Sequence, residues 1–505
     1  MAWAMASKTR YIAIAAAAAL ILLFYLAGHK TAEPQTVGLD RVATDGRLLA
    51  FVLDGRTYVI DVGRRSLLST IPTDAVGVFL WGGRLAAISL TPDGTAVYIY
   101  NNLTAPALIG ARSYPGRLSG AWLSDGVVYL VTAAGEVVHV AAVDLAAGRD
   151  REVSIPTALS PLVVYNPQTH MGRQGLYVAS MRSGYEEAWA KGLEAVARHV
   201  SGDIAEAIYT AIRRKDLLRP IAGLEPEGAR AAAEAARGEL RDRAFRDFTV
   251  IHVVDKSLRY RGHVEVPGLV ASIEEVGDLL VVVATETNYT AQIHRGETEI
   301  YVRPSPAGRH VNIYLISIPS LEVRSLTGLA KGEVARAART TAGVIYLSTE
   351  NTLYAINLTN LKVLGSLKTH SYRHLYPLSK DFLLAVGDEV RKLEEGEGRW
   401  VAEWSLKITL LDVRNPEKIS ERAHVTFVRG GTTGGMALCQ NNTLLIPVTT
   451  VDGVAAIEIR HMRVKTVLKR ANRAVCIEDT IYAISRDSIK IYDSTLKEVA
   501  TIRLT

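Results

Sequence analysis

The chain has 505 residues, with 58 Lys+Arg against 52 Asp+Glu, a formal net charge of +6. So small an excess over such a length argues against a nucleic-acid binder, which concentrates basic residues on one face. Only two cysteines occur, Cys439 and Cys476, which excludes a disulfide-dense scaffold and a cysteine-rich metal framework. With 48% hydrophobic and 22% charged residues this is a folded chain, and length alone suggests about three domains.

Tyr11 to Ala27 form an uncharged apolar run, YIAIAAAAALILLFYLA, preceded by Lys8 and Arg10. Some 18 residues is the lower limit for a membrane span and long for a signal-peptide core. The downstream pairs Leu26/Gly28 and Lys30/Ala32 suit a cleavage site poorly, and no cysteine follows to carry a lipid anchor. The expected organisation is a cytoplasmic N-terminus at 1–10, a signal anchor or transmembrane helix at 11–28 and a linker at 29–36. Positive charge before the span puts the N-terminus inside, so residues 37–505 lie outside the cytoplasm, at the cell membrane. A cleaved signal peptide is the alternative and would give a secreted protein. Four N-x-[ST] sequons, at Asn102, Asn288, Asn357 and Asn441, suit that compartment as glycosylation acceptors, though a chain this long carries several by chance.

From residue 40 onward a divergent repeat is visible. VATDGRLLAFVLDGRTYVIDV (42–62), AWLSDGVVYLVTAAGEVVHVAAVDL (121–145), AARTTAGVIYLSTENTLYAINL (337–358) and AVCIEDTIYAISRDSIKIYDS (474–494) share one pattern. Each reads as strand, polar turn, strand, turn, strand, and a fourth short strand follows. The second strand is nearly continuous in apolar residues, as a strand buried on both faces should be. Nine units begin near residues 40, 77, 120, 162, 270, 335, 373, 436 and 473. Four antiparallel strands in about 40 residues is the period of a β-propeller blade. The expected fold is all-β, a single large propeller of eight or nine blades.

Residues 184–247 break the pattern. GYEEAWAKGLEAVARHV carries apolar residues at Trp189, Leu193, Val196 and Val200, and the next segment continues with Ile204, Ile208 and Ile212. A third segment follows Pro226, which suits a first helical turn. Three helices are expected, inserted between the second and third strands of one blade. Shorter insertions at 286–310 and 388–404 occupy the same inter-strand position in other blades. All three should fall on one face, the default binding surface.

The segments VGLDRVATDGRLLAFVLDGRTYVIDV (37–62), TVIHVVDKSLRYRGHVEVPG (249–268), SLTGLAKGE (325–333), HLYPLSKDFLLAVG (374–387) and LKITLLDVRNPEKI (406–419) occur in a familiar order, with the helical insert in place. In them the chain resembles a family of predicted secreted or membrane-anchored archaeal and bacterial proteins. Their C-terminal domain is a β-propeller distantly related to WD-type repeats. The resemblance implies a fold and a compartment, and no established reaction or cofactor.

No catalytic or metal signature emerges. His370 and His374 form H-x-x-x-H next to a strand, where residues four apart lie about 13 Å from each other and cannot share a metal. Asp-Gly pairs at Asp45, Asp54, Asp93, Asp125 and Asp452 are hairpin turns, not calcium loops. The cluster RGGTTGGM (429–436) lacks the Lys-[ST] of a phosphate loop and reads as a link between blades. Cys439 and Cys476 fall at equivalent positions of the last two units. They are either a disulfide stapling those blades or two buried thiols. The sequence therefore favours a binding or scaffold module for a protein or glycan partner, with the insert 184–247 as the expected contact. The alternative is a propeller hydrolase or lyase acting at the channel mouth.

Overall fold

The computed structural model describes residues 37–504 except 136, 157–167, 215–219, 395–399 and 433–434. The expected anchor at 11–28 and linker at 29–36 lie outside the described residues. Among the described residues no helix is long and apolar enough to cross a membrane. Strands built from alternating and continuous apolar runs assemble into nine antiparallel sheets. They occupy residues 42–72, 75–115, 117–156, 168–267, 269–329, 337–368, 371–428, 437–469 and 473–503, here blades 1 to 9. The count is nine, and the inner strands of neighbouring blades approach one another around a central channel.

Blade 1 shows why the second strands read as unbroken apolar runs. In Leu48–Leu53, Leu49 and Phe51 pack toward blade 9 while Leu48 and Ala50 pack toward blade 2. Successive side chains point to opposite faces, and both faces are covered. The outer strands instead carry charge, as Arg112, Arg151, Arg324, Glu421 and Lys465 do, which blunts an edge against further pairing. Asp54-Gly55 and Asp125-Gly126 take positive φ at both positions, 46° and 72° in the first and 52° and 77° in the second. That is the geometry of a two-residue hairpin turn.

The ring closes without a shared strand. Every blade draws its four strands from one stretch of chain, and blade 9 meets blade 1 face to face. Tyr482, Ile484 and Ile491 pack on Leu49, Phe51 and Ile60. Residues 37–40 then run along the channel side as a strap. Val37–Gly38 pairs with the inner strand of blade 3, Leu39 donates from its N–H to Ala121 O (2.9 Å), and Asp40 bridges to Val78 in blade 2. The Asp40 carboxylate forms an ion pair with Arg473 of blade 9. Gly77 makes room for the strap, since a Cβ there would lie 2.5 Å from Leu39 Cδ1.

Blade 4 carries the insert between Gly175–Arg182 and Phe248–Asp255. Its helices are α1 (Gly184–Ala197), α2 (Gly202–Arg214) and α3 (Pro226–Leu240), with Pro226 in the first turn of α3. Their apolar stripes converge on a neighbour. The segment 286–310, expected as an insertion, instead continues the second and third strands of blade 5 into a long hairpin, Leu279–Arg295 and Ile300–Ser317. Leu193, Val196 and Ile208 bury themselves against Ile293, Ile300 and Val302 of that hairpin. Gly192 permits the contact, because a Cβ there would sit 2.3 Å from Val302 Cγ1. Segment 388–404 likewise lies within a hairpin of blade 7, Phe382–Glu394 and Trp400–Asp412.

Because closure rests on face packing, the blade 9–blade 1 interface should be costly to loosen. Phe51 is 1% exposed and stacks on Tyr58 at 5.2 Å. Phe51→Ala is expected to destabilise the whole propeller by about 3–5 kcal/mol in urea denaturation, as a single cooperative transition.

Candidate functional site on the insert-bearing face and in the channel

The hairpin of blade 5 and helix α1 frame a groove of about 440 Å³. Tyr185 and Trp189 come from the first turns of α1, and Tyr301 and Arg303 from the hairpin. The register pairs Tyr301 with His294 and Arg303 with Gln292, so these four share the face turned away from the buried Ile293 and Val302. Tyr185 stands edge-on to both Trp189 and Tyr289, with ring centroids 5.7 Å apart in each pair. Tyr185 and Tyr301 remain 37% and 43% exposed. Trp189 Nε1 is buried with no acceptor among the described residues.

A buried polar knot fixes the base of the insert. Asp247 Oδ1 accepts from the N–H of Gly184 at 2.9 Å, and Asp247 O accepts from the N–H of Gly268 at 2.7 Å. Burial pushes the Asp247 carboxyl up to about 6, against the opposing effect of hydrogen bonds from Gly184 and Thr287. Beside it Glu286 accepts from Asn312 Nδ2 at 2.8 Å and lies 3.1 Å from His310 Nε2. The sequence offered no signal for this knot, since its members are scattered acids whose meeting depends on the register of two blades.

The channel is polar along blades 4 to 7. Glu274 of blade 5 lies 3.7 Å from Arg339 of blade 6 and accepts from the N–H of Thr340 at 2.7 Å. Burial raises the Glu274 carboxyl, and Arg339 opposes it. The same guanidinium, after burial, helps hold His170 of blade 4 down to about 4 and lowers His374 of blade 7. His374 packs by Tyr376, with ring centroids 6.1 Å apart, whereas His370 meets Lys407 at 3.2 Å. The two histidines therefore serve separate neighbourhoods. Another polar chain runs from Ser180 Oγ to His252 Nε2 (3.3 Å) and from His252 Nδ1 to the Tyr260 hydroxyl (3.2 Å). Ser180 is only 1% exposed, which closes it to a substrate.

The structure joins Cys439 and Cys476 across the blade 8–blade 9 interface, with Cα atoms 5.5 Å apart. Among the sequon asparagines, Asn102 is exposed at a turn with φ of 47°. Asn288 lies part-buried within the blade 5 hairpin, Asn357 Oδ1 caps the N–H groups of Thr359 and Asn360, and Asn441 Nδ2 donates to Ser494 O at 3.0 Å. Asn102 thus offers the freest amide of the four.

Two outcomes follow from these environments. His170 and His252 are both held down to about 4 by burial, against about 6.5 unfolded. The unfolded chain gains protons first, so this share of stability is complete above about 6.5 and is lost as pH falls toward 4. The urea midpoint should decline through that window, and less so in His170→Phe, which keeps the ring stacked on Tyr177 at 6.2 Å. Reduction of a Cys439–Cys476 bond, which spans 37 positions, is expected to lower unfolding free energy by roughly 3–4 kcal/mol. Thiols that alkylate fully without reductant in the native protein would exclude that bond.

No curated protein matches this sequence. Among solved structures the chain is similar to BamB from Moraxella catarrhalis, at 10% identity and a TM-score of 0.36, covering 69% of this chain and 82% of that one. It is similar to Hsv2 from Kluyveromyces lactis at 10% identity and a TM-score of 0.34, covering 73% and 98%. A eukaryotic initiation factor is similar at 10% identity and a TM-score of 0.41, covering 93% and 88%. Likeness at this level carries nothing about partners. The family model described as a beta propeller domain matches residues 121–496, and the chain belongs to that family.

Proposed function

We propose that this propeller is a membrane-anchored, extracytoplasmic binding module that holds a protein or glycan partner on its insert-bearing face. The observation that carries this reading is the groove between α1 and the blade 5 hairpin, where aromatic rings stay exposed beside a rigid packed support. The path of residues 37–40 supports the orientation. Val37 pairs with Leu123, near the turn that closes the first hairpin of blade 3, on the face opposite the insert. An anchor at 11–28 would then leave toward the membrane, with the insert facing outward.

A second reading, a hydrolase or lyase working in the channel, draws support from the grouping of Arg339, Glu274, His170 and His374. One experiment separates the two. Gly184 and Arg246 touch, so excising 185–245 leaves ends that a short linker joins. Because excision uncovers Ile293 and Val302, Trp189→Ala in the full chain accompanies it. Both variants should keep the propeller's circular dichroism yet lose the partners pulled down from solubilised membranes, while Arg339→Ala retains them. Unchanged partners in both insert variants would overturn the groove reading. Loss in Arg339→Ala alone would move the site to the channel.

A further inference from the structure

We infer that the groove on the insert binds an acidic saccharide, one carrying a carboxylate or sulfate, and this rests on the binding reading above. A pyranose presents C–H groups on its faces and hydroxyls around its rim. Its faces need open aromatic rings, and its rim needs polar groups at the same site. Tyr301 and Tyr185 supply such rings, and both are exposed on fixed supports. Tyr301 is held by a hydrogen bond from its hydroxyl to Glu299, and Tyr185 by its edge-on contacts with Trp189 and Tyr289.

The acidic part of the ligand follows from Arg303. Its side chain is exposed in the groove wall and has no ion-pair partner among the described residues. On the neighbouring insert, by contrast, Arg198 pairs with Glu239, Arg213 with Glu206 and Arg230 with Glu234. A guanidinium offers a planar fork that fits a carboxylate or sulfate with two parallel hydrogen bonds. His294, the cross-strand neighbour of Tyr301 on the same wall, adds a second polar group.

The hairpin edge argues against an added peptide strand as the occupant. A peptide joining the edge of Ile300–Ser317 would need successive outward N–H and C=O groups. Ile300 already exchanges both of its bonds with Ile221, at 2.9 and 3.0 Å, and Pro304 has no N–H. Val302 alone is left between them, too short a stretch to template a strand.

The test is calorimetric titration of the full chain in detergent with hexagalacturonate and, separately, with neutral maltohexaose. Hexagalacturonate should bind, weaken with added salt and outcompete maltohexaose by at least about tenfold. Tyr301→Ala and Arg303→Gln should each weaken it about tenfold, with unchanged thermal midpoints because both side chains are exposed. Tyr301→Phe should bind better than Tyr301→Ala, since the ring face is kept although the hydrogen bond to Glu299 is lost. A heparin hexasaccharide distinguishes sulfate from carboxylate as the favoured acid, and binding of either supports the inference. Equal binding of the neutral sugar, absence of binding by both acidic sugars, or indifference to Tyr301→Ala and Arg303→Gln would overturn it. Partners still captured through the insert in that event would mean a protein ligand and leave the broader binding reading intact.

Discussion

The fold depends on one packing interface, the face-to-face contact of blade 9 with blade 1. Each blade is a wedge that buries apolar side chains on both sides, and eight of the nine contacts join blades adjacent in sequence. The ninth joins the two ends and has no shared strand to register it. Hydrophobic burial there is strong but not directional. Direction comes from the strap, whose main chain pairs with blades 2 and 3 and whose Asp40 reaches Arg473 of blade 9. The strap thus fixes three blades by few hydrogen bonds at the point where the ring has least covalent support.

The insert obeys a similar logic on a smaller scale. Three helices of this length are marginal alone, and their apolar stripes need a surface. The blade 5 hairpin provides one, and the hairpin in turn would expose Ile293 and Val302 without the helices. Neither is a decoration on a finished propeller. The polar knot at Asp247 and Glu286 ties both to the blade 4–blade 5 interface, so the groove is held by two blades rather than by a loop. That rigidity suits recognition, because little ordering is left for binding to oppose.

Much of this architecture was legible from periodicity. The unit starts near 40, 120, 270, 335 and 473 emerge because double-sided burial writes continuous apolar runs such as LLAFVL, punctuated by Asp-Gly turns. The helices were legible from the three-and-four spacing of Leu193, Val196 and Ile208. Segments 286–310 and 388–404 were less so. As strands that outrun their sheet they are solvated on one side, so polar residues such as Gln292, His294 and Arg303 mask the pattern. The groove, the channel group at Arg339 and the strap were not legible. They arise from contacts between blades, and no local spacing encodes that Gly192 will meet Val302 or that Asp40 will meet Arg473.

The strap also constrains the order of events in the chain's assembly. Asp40 and Arg473 are separated by 433 positions, among the longest loops that this chain could close. A nascent chain makes its first blade long before the blade that must cover it. Until residue 473 is available, Phe51 and Leu49 present an uncovered apolar face, and the strap has only blades 2 and 3 to hold it. Such distant pairing is slow to find and leaves partly built rings prone to association with one another. Ring completion, rather than folding of any single blade, would then set how long the newly made protein depends on protection by other factors.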